Sequence, residues 1–503
     1  MNRGLQWLSA TAIFLGGVLL RSIDLFTPWI GVHNAWAGAR YGNIARNYLR
    51  YGYAATELGP VTNFGLVQPA QFEFYYHYPP LLVLLVSFSY RVFGVHEWSA
   101  RLVPWLCSVG LMALVYAFTR RYYSARVALW ALLFTAVMPI EAYYGTHVDV
   151  YGTVVVFFTT LALYSYACWI DADEGGGKYL ALCLAAIVLG CLTSWFTFFL
   201  VPLLIAHYRW ISARRDATRD RQIWLTAASA VAVFAVFMVH RRVLMGSGRH
   251  ETEGTLLEKL LLRVTIQTPS GERPGLLGLV RGQARDFARL YSVPVLLLAG
   301  GWIGLTVARV RAGRLQRSDW FVLMLLGYGL LHNAVFPSFL LGHDFMVVCF
   351  MPFIAIAAAL ALDRLLTALR LRDGGTMQRV VAAAALMMVV GPALLATRRL
   401  RWEDSTYPAS LKRWGQLIQT MTGPADVVLA CSREDDIFSY YADRHMKFGV
   451  TTPARVRDST AQKPATLLVC PVRHAVKLNG SLDHVSASSV RTIDGLVVYV
   501  LKP

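Results

Sequence analysis

The chain has 503 residues, of which 56% are hydrophobic and 16% are charged, and its mean hydropathy is +0.46. About a quarter of the residues of an average soluble domain are charged, so this composition excludes a disordered chain and argues against a purely soluble enzyme. The formal net charge of +18 is compatible with a nucleic-acid partner, with anionic lipid, or with the orientation signal of a membrane protein.

Apolar segments close to the roughly 20 residues that a membrane-spanning helix requires recur along the chain. A further run, 79–93, is too short to span comfortably and opens with Pro79-Pro80, which favours a helix at the membrane interface. The first apolar segment resembles the core of a signal peptide, but no small-residue cleavage site follows it, and we expect it to be retained. We predict about eleven transmembrane helices, at 5–23, 102–119, 127–141, 151–170, 179–194, 196–211, 223–240, 292–308, 320–337, 345–362 and 380–397.

The charged residues sort according to this arrangement. The predicted inner connections hold 17 Lys and Arg against 8 Asp and Glu, whereas the much longer outer segments hold 14 against 12. This is the positive-inside pattern, and it predicts the N-terminus inside and the C-terminus outside. Because the basic residues are scattered through short loops and do not gather on one face, we expect no nucleic-acid partner. The inner connections are 120–126, 171–178, 209–222, 309–319 and 363–379.

The first outer segment, 24–101, is long for a loop, and loops of this length are usually functional. It contains a predicted helix over 34–51 and many aromatic residues, most of which are expected in an interfacial belt and a minority of which could stack on a sugar ring. We predict Glu57 as a candidate catalytic acid or base in this segment. The candidate substrate-binding residues are His33, Asn34, Arg40, Tyr41, His77 and Tyr78.

Two short outer turns also carry candidate site residues. Asp149 follows His147, a candidate substrate-binding residue, at the start of the fourth predicted span. An acidic residue there is costly to bury, which makes Asp149 a candidate catalytic residue, and the alternative is a helix N-cap that faces water. His343 and Asp344 lie between two later spans, either in a binding site or in a hydrated loop.

The outer loop 241–291 is basic and includes Lys259 and Arg263. Such a loop could bind phosphate or pyrophosphate, since Arg contacts these groups in bidentate fashion, or it could lie on anionic head groups. The dispersed outer histidines could supply ligands to a divalent metal ion, although ordinary polar roles explain them as well. The metal and its ligands stay open.

The composition changes from about residue 398. Short β-branched clusters at 426–431, 466–470 and 496–501 alternate with polar segments, of which 434–447 is typical of a helix. We therefore predict a transmembrane domain over 1–397 and a small outward-facing α/β soluble domain over 398–503. Of the seven cysteines, five lie in apolar runs, which leaves Cys431 and Cys470 as a weak candidate disulfide pair.

Taken in order, these segments resemble a known family, the integral-membrane C-type glycosyltransferases of the protein O-mannosyltransferase and lipid A aminoarabinose transferase kind (glycosyltransferase family 39 or 83-like). The resemblance covers roughly residues 1–400. The matching segments are Ile44–Gly52 (IARNYLRYG), His77–Leu82, Phe93–Leu102, the Asp149 turn and the His343 turn.

The resemblance implies a C-type glycosyltransferase fold and transfer of a monosaccharide from a polyprenyl-phosphate-linked donor. The acceptor would be a lipid, a protein or a polysaccharide on the outer side of the cytoplasmic membrane. In such enzymes an acidic residue deprotonates the acceptor hydroxyl, and basic residues or a metal ion stabilise the departing phosphate. Asp149 matches the acidic position of the later turn, His77 a basic position near the donor phosphate, and His343 a polar position that opens a late span.

The sequence departs from the family at 33–36, where relatives carry an acid and our alignment places Ala35. Three interpretations stay open: a substitution that removed the base, a base supplied instead by Glu57 or Asp149, or a catalytically silent relative. An alternative from another class is a transporter or flippase of a lipid-linked substrate. A transporter would place polar residues near the bilayer midplane, whereas here they gather at one face.

Overall fold

We describe the fold from a computed structural model of the chain. It describes residues 3–31, 33–173, 176–212, 215–246, 250–251, 255–265, 275–373, 376–405, 409–433, 435–462, 465–477 and 485–501.

Helices dominate the described chain. Short 3-10 helices lie at Pro69–Gln71 and Asp344–Phe350. The α-helices are α1 Arg3–Ser22, α2 His33–Tyr51, α3 Leu81–Phe93, α4 Glu97–Tyr122, α5 Ala125–Val137, α6 Pro139–Tyr144, α7 Thr153–Asp171, α8 Gly177–Thr193, α9 Phe196–Trp210, α10 Ala217–Met245, α11 Leu256–Arg263, α12 Gly275–Tyr291, α13 Val293–Arg311, α14 Arg317–Val335, α15 Phe339–Gly342, α16 Met351–Asp373, α17 Thr376–Ser405, α18 Ser410–Met421, α19 Asp436–Ala442, α20 Pro453–Gln462 and α21 Val472–Lys477. The strands are β1 Glu73–Phe74, β2 His250–Glu251, β3 Val427–Ala430, β4 His445–Lys447, β5 Ala465–Pro471, β6 Ala487–Ile493 and β7 Leu496–Leu501.

Each of the predicted spans falls on a helical segment. In the part of the chain that the structure describes, seven helices are long and apolar enough to cross a membrane, judged by length and composition. Four shorter apolar helices, α3, α5, α8 and α9, accompany them. The run 79–93 does form a helix, α3, while its place at the interface and the number of spans stay predictions.

The alanine-rich helix α16 lies at the centre of the bundle. It is buried along residues 351–362 and packs against α5, α13, α14 and α17. Small side chains let neighbouring helices approach closely, which matters in a membrane because packing there gains little from the hydrophobic effect. The bundle thus has a tightly packed interior around α16.

The first outer segment combines α2 with an extended stretch that leads to α3. The helix α2 confirms the predicted helix over 34–51. Side chains alternate across an extended chain: Phe74 and Tyr76 join an apolar cluster with Phe237, while Tyr75 turns the other way and contacts the ring of His77 at 4.9 Å. This alternation delivers Tyr75 and His77 to the buried polar region described below.

The C-terminal unit (residues 409–501) contains a five-stranded sheet in the order β4-β3-β5-β7-β6, in which β7 is antiparallel to β5 and β6. The three predicted strand clusters are confirmed. The prediction of one helix over 434–447 is wrong in its second half. After α19 the backbone of Asp443 turns left-handed, with φ +46°, and the next residues form the edge strand β4. A disulfide joins Cys431 to Cys470, as predicted.

The C-terminal unit packs onto α2 through ion pairs. Arg50 and Arg46 contact the carboxylate of Asp443 at 2.6 and 3.1 Å. Gly65 marks the closest approach: its φ is +74°, and a Cβ there would lie 2.5 Å from the backbone nitrogen of His445, so only glycine fits. The boundary at residue 398 remains a proposal, because α17 runs across it.

We expect Asp443→Asn to loosen this docking. Burial alone would raise the pKa of Asp443, but the guanidinium groups of Arg46 and Arg50 outweigh it and lower the pKa. A depressed carboxylate pKa stabilises the fold above the unfolded value of about 3.9, and the stabilisation is lost as the pH falls below it. The variant should cost about 1–3 kcal/mol at neutral pH, read as a lower thermal midpoint and faster hydrogen exchange in α2.

Asp494→Asn is the matched control for this prediction. Asp494 also has a positive φ, +49°, and also pairs with an arginine, Arg413, but both side chains are about half exposed. Exposed ion pairs contribute little, so we expect a loss below about 1 kcal/mol. Equal losses for the two variants, or an unchanged acid sensitivity in Asp443→Asn, would contradict the docking role.

Candidate functional site

A buried group of charged and phenolic side chains forms where four segments meet: α2, the stretch 75–78, the turn 145–152 and α11. The ring centres of Tyr41 and Tyr75 lie 6.2 Å apart, those of Tyr75 and Tyr78 6.0 Å, and those of Tyr78 and Tyr151 5.2 Å. The remaining members are the charged side chains that act on the pKa values of these phenols or of one another. Most of them were predicted from the sequence, from four separate regions of the chain. We call this group the site cluster; it comprises Arg40, Tyr41, Tyr75, Tyr78, Asp149, Tyr151, Lys259 and Arg263.

Arg263 is held in the site cluster by aromatic rings. Its Nη2 donates to the hydroxyl of Tyr78 at 2.6 Å, and its guanidinium lies 5.0 Å from the ring centre of Tyr78 and 4.5 Å from that of Phe339. Burial raises the pKa of Tyr78 despite the opposing effect of Arg263, so the phenol stays protonated. The arrangement fixes a cation in a site with little access to water, where its charge acts strongly.

Asp149 is buried in the turn before α7, with 4% of its surface exposed. Its Oδ1 accepts a hydrogen bond from the backbone nitrogen of Tyr151 at 2.8 Å. The pKa of Tyr41 is raised, first by burial and then by Tyr75 and Asp149, so this carboxylate lies among the phenols. The N-cap alternative is wrong, because α7 begins at Thr153 after an N-cap glycine without a side-chain cap.

Three basic side chains, those of Arg40, Lys259 and Arg263, belong to the site cluster. The guanidinium of Arg40 lies 4.4 Å from the ring centre of Trp36 and 5.5 Å from that of Tyr75. The pKa of Lys259 is lowered by burial and then by the nearby charges of Arg263 and Arg40. The carboxylate of Asp436 balances Arg40 at 2.7 Å, and an anionic group such as a phosphate would relieve the repulsion between Arg263 and Lys259.

Helix geometry separates Asn34 from Ala35. Seven residues make two turns, so Asn34 shares a face of α2 with Tyr41, whereas Ala35 shares a face with Gly42. That second face packs on aromatic side chains, since a Cβ at Gly42 would lie 2.8 Å from the hydroxyl of Tyr90. Ala35 is 1% exposed and belongs to the hydrophobic core. Among the described residues, the buried Oδ1 of Asn34 has no hydrogen-bond partner.

We therefore expect Ala35→Asp to destabilise the protein without activating it. The new carboxylate would be buried on the packing face of α2, where an uncompensated charge costs about 3–5 kcal/mol. Asn34→Asp is the neighbouring control, because position 34 already holds a buried polar group, and its thermal midpoint should fall less. A gain in donor consumption with Ala35→Asp would contradict this placement.

The turns at 144–149 and 343–345 meet next to the site cluster. Asp344 accepts a hydrogen bond from the hydroxyl of Tyr144 at 2.8 Å and pairs with Arg289 at 3.2 Å. The ring of Phe345 lies 5.0 Å from that of His147 and 5.4 Å from that of His343. The structure thus brings together the two predicted outer turns, the one that holds His147 and Asp149 and the one that holds His343 and Asp344, although they are about 200 residues apart in sequence.

Glu57 lies apart from the site cluster, on an exposed turn where its φ is +53°. Its carbonyl accepts a hydrogen bond from His240 at 2.6 Å, and His240 also contacts Tyr76, on the opposite side of the extended stretch from Tyr75. His77 is fully buried beside Tyr75. His33 begins α2, and its side chain lies outside the described residues.

The possible divalent metal ion, which the sequence left open, finds no ligand set in the described ranges. Within them, no three His, Cys, Asp or Glu side chains come together as a group that could hold a metal ion. No catalytic step below is assigned to a metal ion.

Two buried residues near the site were missed in the sequence. His332 lies among the rings of Phe196 and Tyr151, at 4.0 and 5.6 Å. Glu141 accepts from Thr153 at 3.2 Å and so ties together the two ends of the turn that holds Asp149. In the sequence each is an ionisable residue within or at the end of a predicted apolar span, which is itself a signal of function. In the structure Glu141 also forms a buried ion pair with Arg21 at 3.8 Å.

Comparisons with known proteins agree with this architecture. ArnT from Cupriavidus metallidurans, solved bound to undecaprenyl phosphate, superposes over 100% of both chains with a TM-score of 0.65 at 16% sequence identity. The chain has the C-type glycosyltransferase fold. The oligosaccharyltransferase AglB from Archaeoglobus fulgidus, in complex with an inhibitory peptide and a dolichol-phosphate, gives a TM-score of 0.60 at 14% identity, over 98% of this chain and 74% of that one.

Sequence comparison also finds glycosyltransferase relatives, over part of the chain. Residues 77–240, about a third of the chain, match the family described as dolichyl-phosphate-mannose-protein mannosyltransferase. An uncharacterized protein of Aquifex aeolicus is 36% identical over 104 residues, which is 21% of this chain and 24% of that protein. The predicted resemblance to the O-mannosyltransferase and aminoarabinose transferase type is confirmed, and so is the predicted fold, a helical integral membrane protein with a small C-terminal sheet.

Proposed function

We propose that the chain is a glycosyltransferase that moves a monosaccharide from a polyprenyl phosphate to a hydroxyl of a lipid, protein or glycan acceptor. One observation carries the proposal: in a C-type glycosyltransferase fold, the buried carboxylate of Asp149 lies in one site cluster with three cations. A carboxylate can accept the acceptor's proton, and the cations can hold the phosphate.

The proposed reaction exchanges one bond at the anomeric carbon for another. The acceptor oxygen attacks this carbon and transfers its proton to Asp149, while the bond between the carbon and the phosphate oxygen breaks. The electron pair of that bond leaves with the polyprenyl phosphate, whose added negative charge Arg263 and Lys259 stabilise. Tyr78 orients Arg263 through the hydrogen bond of 2.6 Å.

We also propose that the site lies on the outer side of the cytoplasmic membrane. The inner connections are rich in basic residues, which supports this orientation. The disulfide between Cys431 and Cys470 supports it independently, because disulfides persist in oxidising compartments. A cysteine introduced at Glu57 should react with a membrane-impermeant thiol reagent, and one at Arg121 should be shielded.

The test of the function is donor consumption by the purified protein in lipid nanodiscs. A set of synthetic undecaprenyl-phosphate monosaccharides is supplied singly, and released undecaprenyl phosphate is measured. We expect release from at least one donor. No release from any donor, together with movement of labelled donor across vesicle membranes, would favour a flippase, whereas neither activity would favour a catalytically silent relative.

A further inference from the structure

An apolar groove of about 970 Å³ lies on the surface of the helical bundle between α13 and α17, which both pack on α16. Its rim carries exposed apolar side chains, those of Leu297, Leu365 and Met388. The three helices are long and apolar enough to cross a membrane, so the groove opens toward the hydrocarbon of the bilayer. We therefore look for its occupant among the components of the bilayer.

Small side chains make this surface concave. The groove is lined by Gly301 of α13, by Ala361 and Ala368 of α16, and by Ala384 and Ala385 of α17. A Cβ on Gly301 would meet no neighbouring atom within 4 Å, so the space above this glycine is open. The volume is at the upper end of the range for bound small molecules, roughly 300–1,000 Å³, and a flexible hydrocarbon chain can follow such a surface.

Arg364 gives the groove a charged end. Among the described residues that line the groove, it alone carries a charge. The two carboxylates near it are already paired, Asp319 with Arg309 at 2.8 Å and Asp363 with Arg126. Three cations and two carboxylates leave one positive charge, on a side chain that is exposed. An arginine at the end of a membrane helix extends toward the phosphates of the head groups, so an anionic head group complements this end of the groove.

The groove is separate from the site that would hold the polyprenyl phosphate in the proposed reaction. The helix α16 begins next to the turn at 343–345, and Arg364 lies about 20 Å further along it at a rise of about 1.5 Å per residue. In the proposed orientation, this end of α16 faces the inner leaflet, whereas the site cluster lies on the outer side.

A second copy of the chain does not suit the groove. Two-fold pairing of two chains through this surface would place their Arg364 side chains at the same depth in the membrane, where the like charges repel each other. A lipid with a negative head group satisfies both the apolar lining and the charge.

We propose that this groove binds a phospholipid with an anionic head group, whose acyl chain lies along Gly301 and the alanines and whose phosphate contacts Arg364. The lipid fills the space between α13 and α17 and holds α17 against the bundle. Because this binding does not involve sugar transfer, it is tested without a donor.

The test is native mass spectrometry of the whole protein, delipidated in detergent and then given equal amounts of phosphatidylglycerol, phosphatidylethanolamine and undecaprenyl phosphate. We expect phosphatidylglycerol to bind about fivefold better than phosphatidylethanolamine, because one arginine at a membrane surface contributes about this factor. Arg364→Met, which keeps an apolar side chain without the charge, should remove that preference. Gly301→Leu, which places a side chain in the groove, should remove the most tightly held phospholipid.

Arg311→Met and Gly16→Leu are the matched controls. Arg311 is the exposed last residue of α13 and does not line the groove. Gly16 lies in another apolar groove, of about 590 Å³, whose described lining has no charged residue, and a Cβ there also meets no neighbouring atom within 4 Å. Both variants should keep the preference for phosphatidylglycerol.

Four outcomes would overturn the proposal: equal binding of the two phospholipids, a preference that survives Arg364→Met or Gly301→Leu at an unchanged thermal midpoint, stronger binding of undecaprenyl phosphate, or a dimer that Gly301→Leu abolishes. Sugar transfer by the unaltered protein is measured separately, so a failure of the proposed function and a failure of the lipid site are distinguished.

Discussion

Replacing Asp149 with asparagine is expected to lower the rate of sugar transfer by about 10²–10⁴-fold, the usual contribution of a positioned general base. The amide has nearly the shape of the carboxylate, and its oxygen can still accept the hydrogen bond from the backbone of Tyr151. It cannot take a proton from the acceptor. The loss should therefore appear in kcat, with the donor KM and the thermal midpoint close to those of the unaltered protein.

Asp426→Asn provides the control for this prediction. Asp426 is a half-exposed aspartate in the C-terminal unit that accepts a hydrogen bond from the backbone of Gly423, so the same chemical change is made in a similar local setting far from the site cluster. Its transfer rate should stay within about twofold. If Asp149→Asn transferred sugar at the normal rate, Asp149 would not be the base.

Arg263→Met is expected to lower kcat by about 10²–10³-fold, as for the loss of one group that stabilises charge in a transition state. Methionine keeps much of the packing against Tyr78 and Phe339 but removes the charge and the hydrogen bond of 2.6 Å. Arg263→Lys should recover only part of the rate, because lysine lacks the planar fork that binds two phosphate oxygens.

The control for the arginine is Arg285→Met on α12, where the side chain is 79% exposed. It removes the same charge from the same basic loop, and we expect the transfer rate to stay within about twofold. Equal losses in the two variants would mean that the loop acts through its total charge, and Arg263 would then have no individual role.

Much of the fold could be predicted from the sequence because the local amino-acid composition determines which segments form membrane helices and which form strands. A long apolar run must form a helix in a membrane, since no other structure within one segment satisfies its backbone. The strand clusters of the C-terminal unit were equally clear. The edge strands β4 and β6 were harder, because each pairs on one side only and neither forms an apolar run.

The sequence predicted which residues belong to the site better than it predicted how they are arranged. Asp149 was identified because an acidic residue is unusual at the start of an apolar span, Arg40 because the first outer segment is long, and Arg263 because its loop is basic. Asp436 was not, because nothing local in a polar helix shows that its carboxylate meets Arg40 from 396 positions earlier. Ala35 was named from the sequence, but its environment was not predicted. A motif alignment gives the position of a residue along α2, and only the three-dimensional structure shows which face of the helix it occupies.

The pairing of Arg40 with Asp436 has a consequence for biogenesis. The two residues are 396 positions apart, so the ribosome must finish almost the whole chain before the first outer segment can complete its contacts. Until then the carboxylates that pair with Arg40, Arg46 and Arg50 are missing, so docking of the C-terminal unit on α2 is a late event that follows insertion of the helices. A chain truncated after α17 would keep every member of the site cluster but lack the carboxylates that pair with Arg40, Arg46 and Arg50.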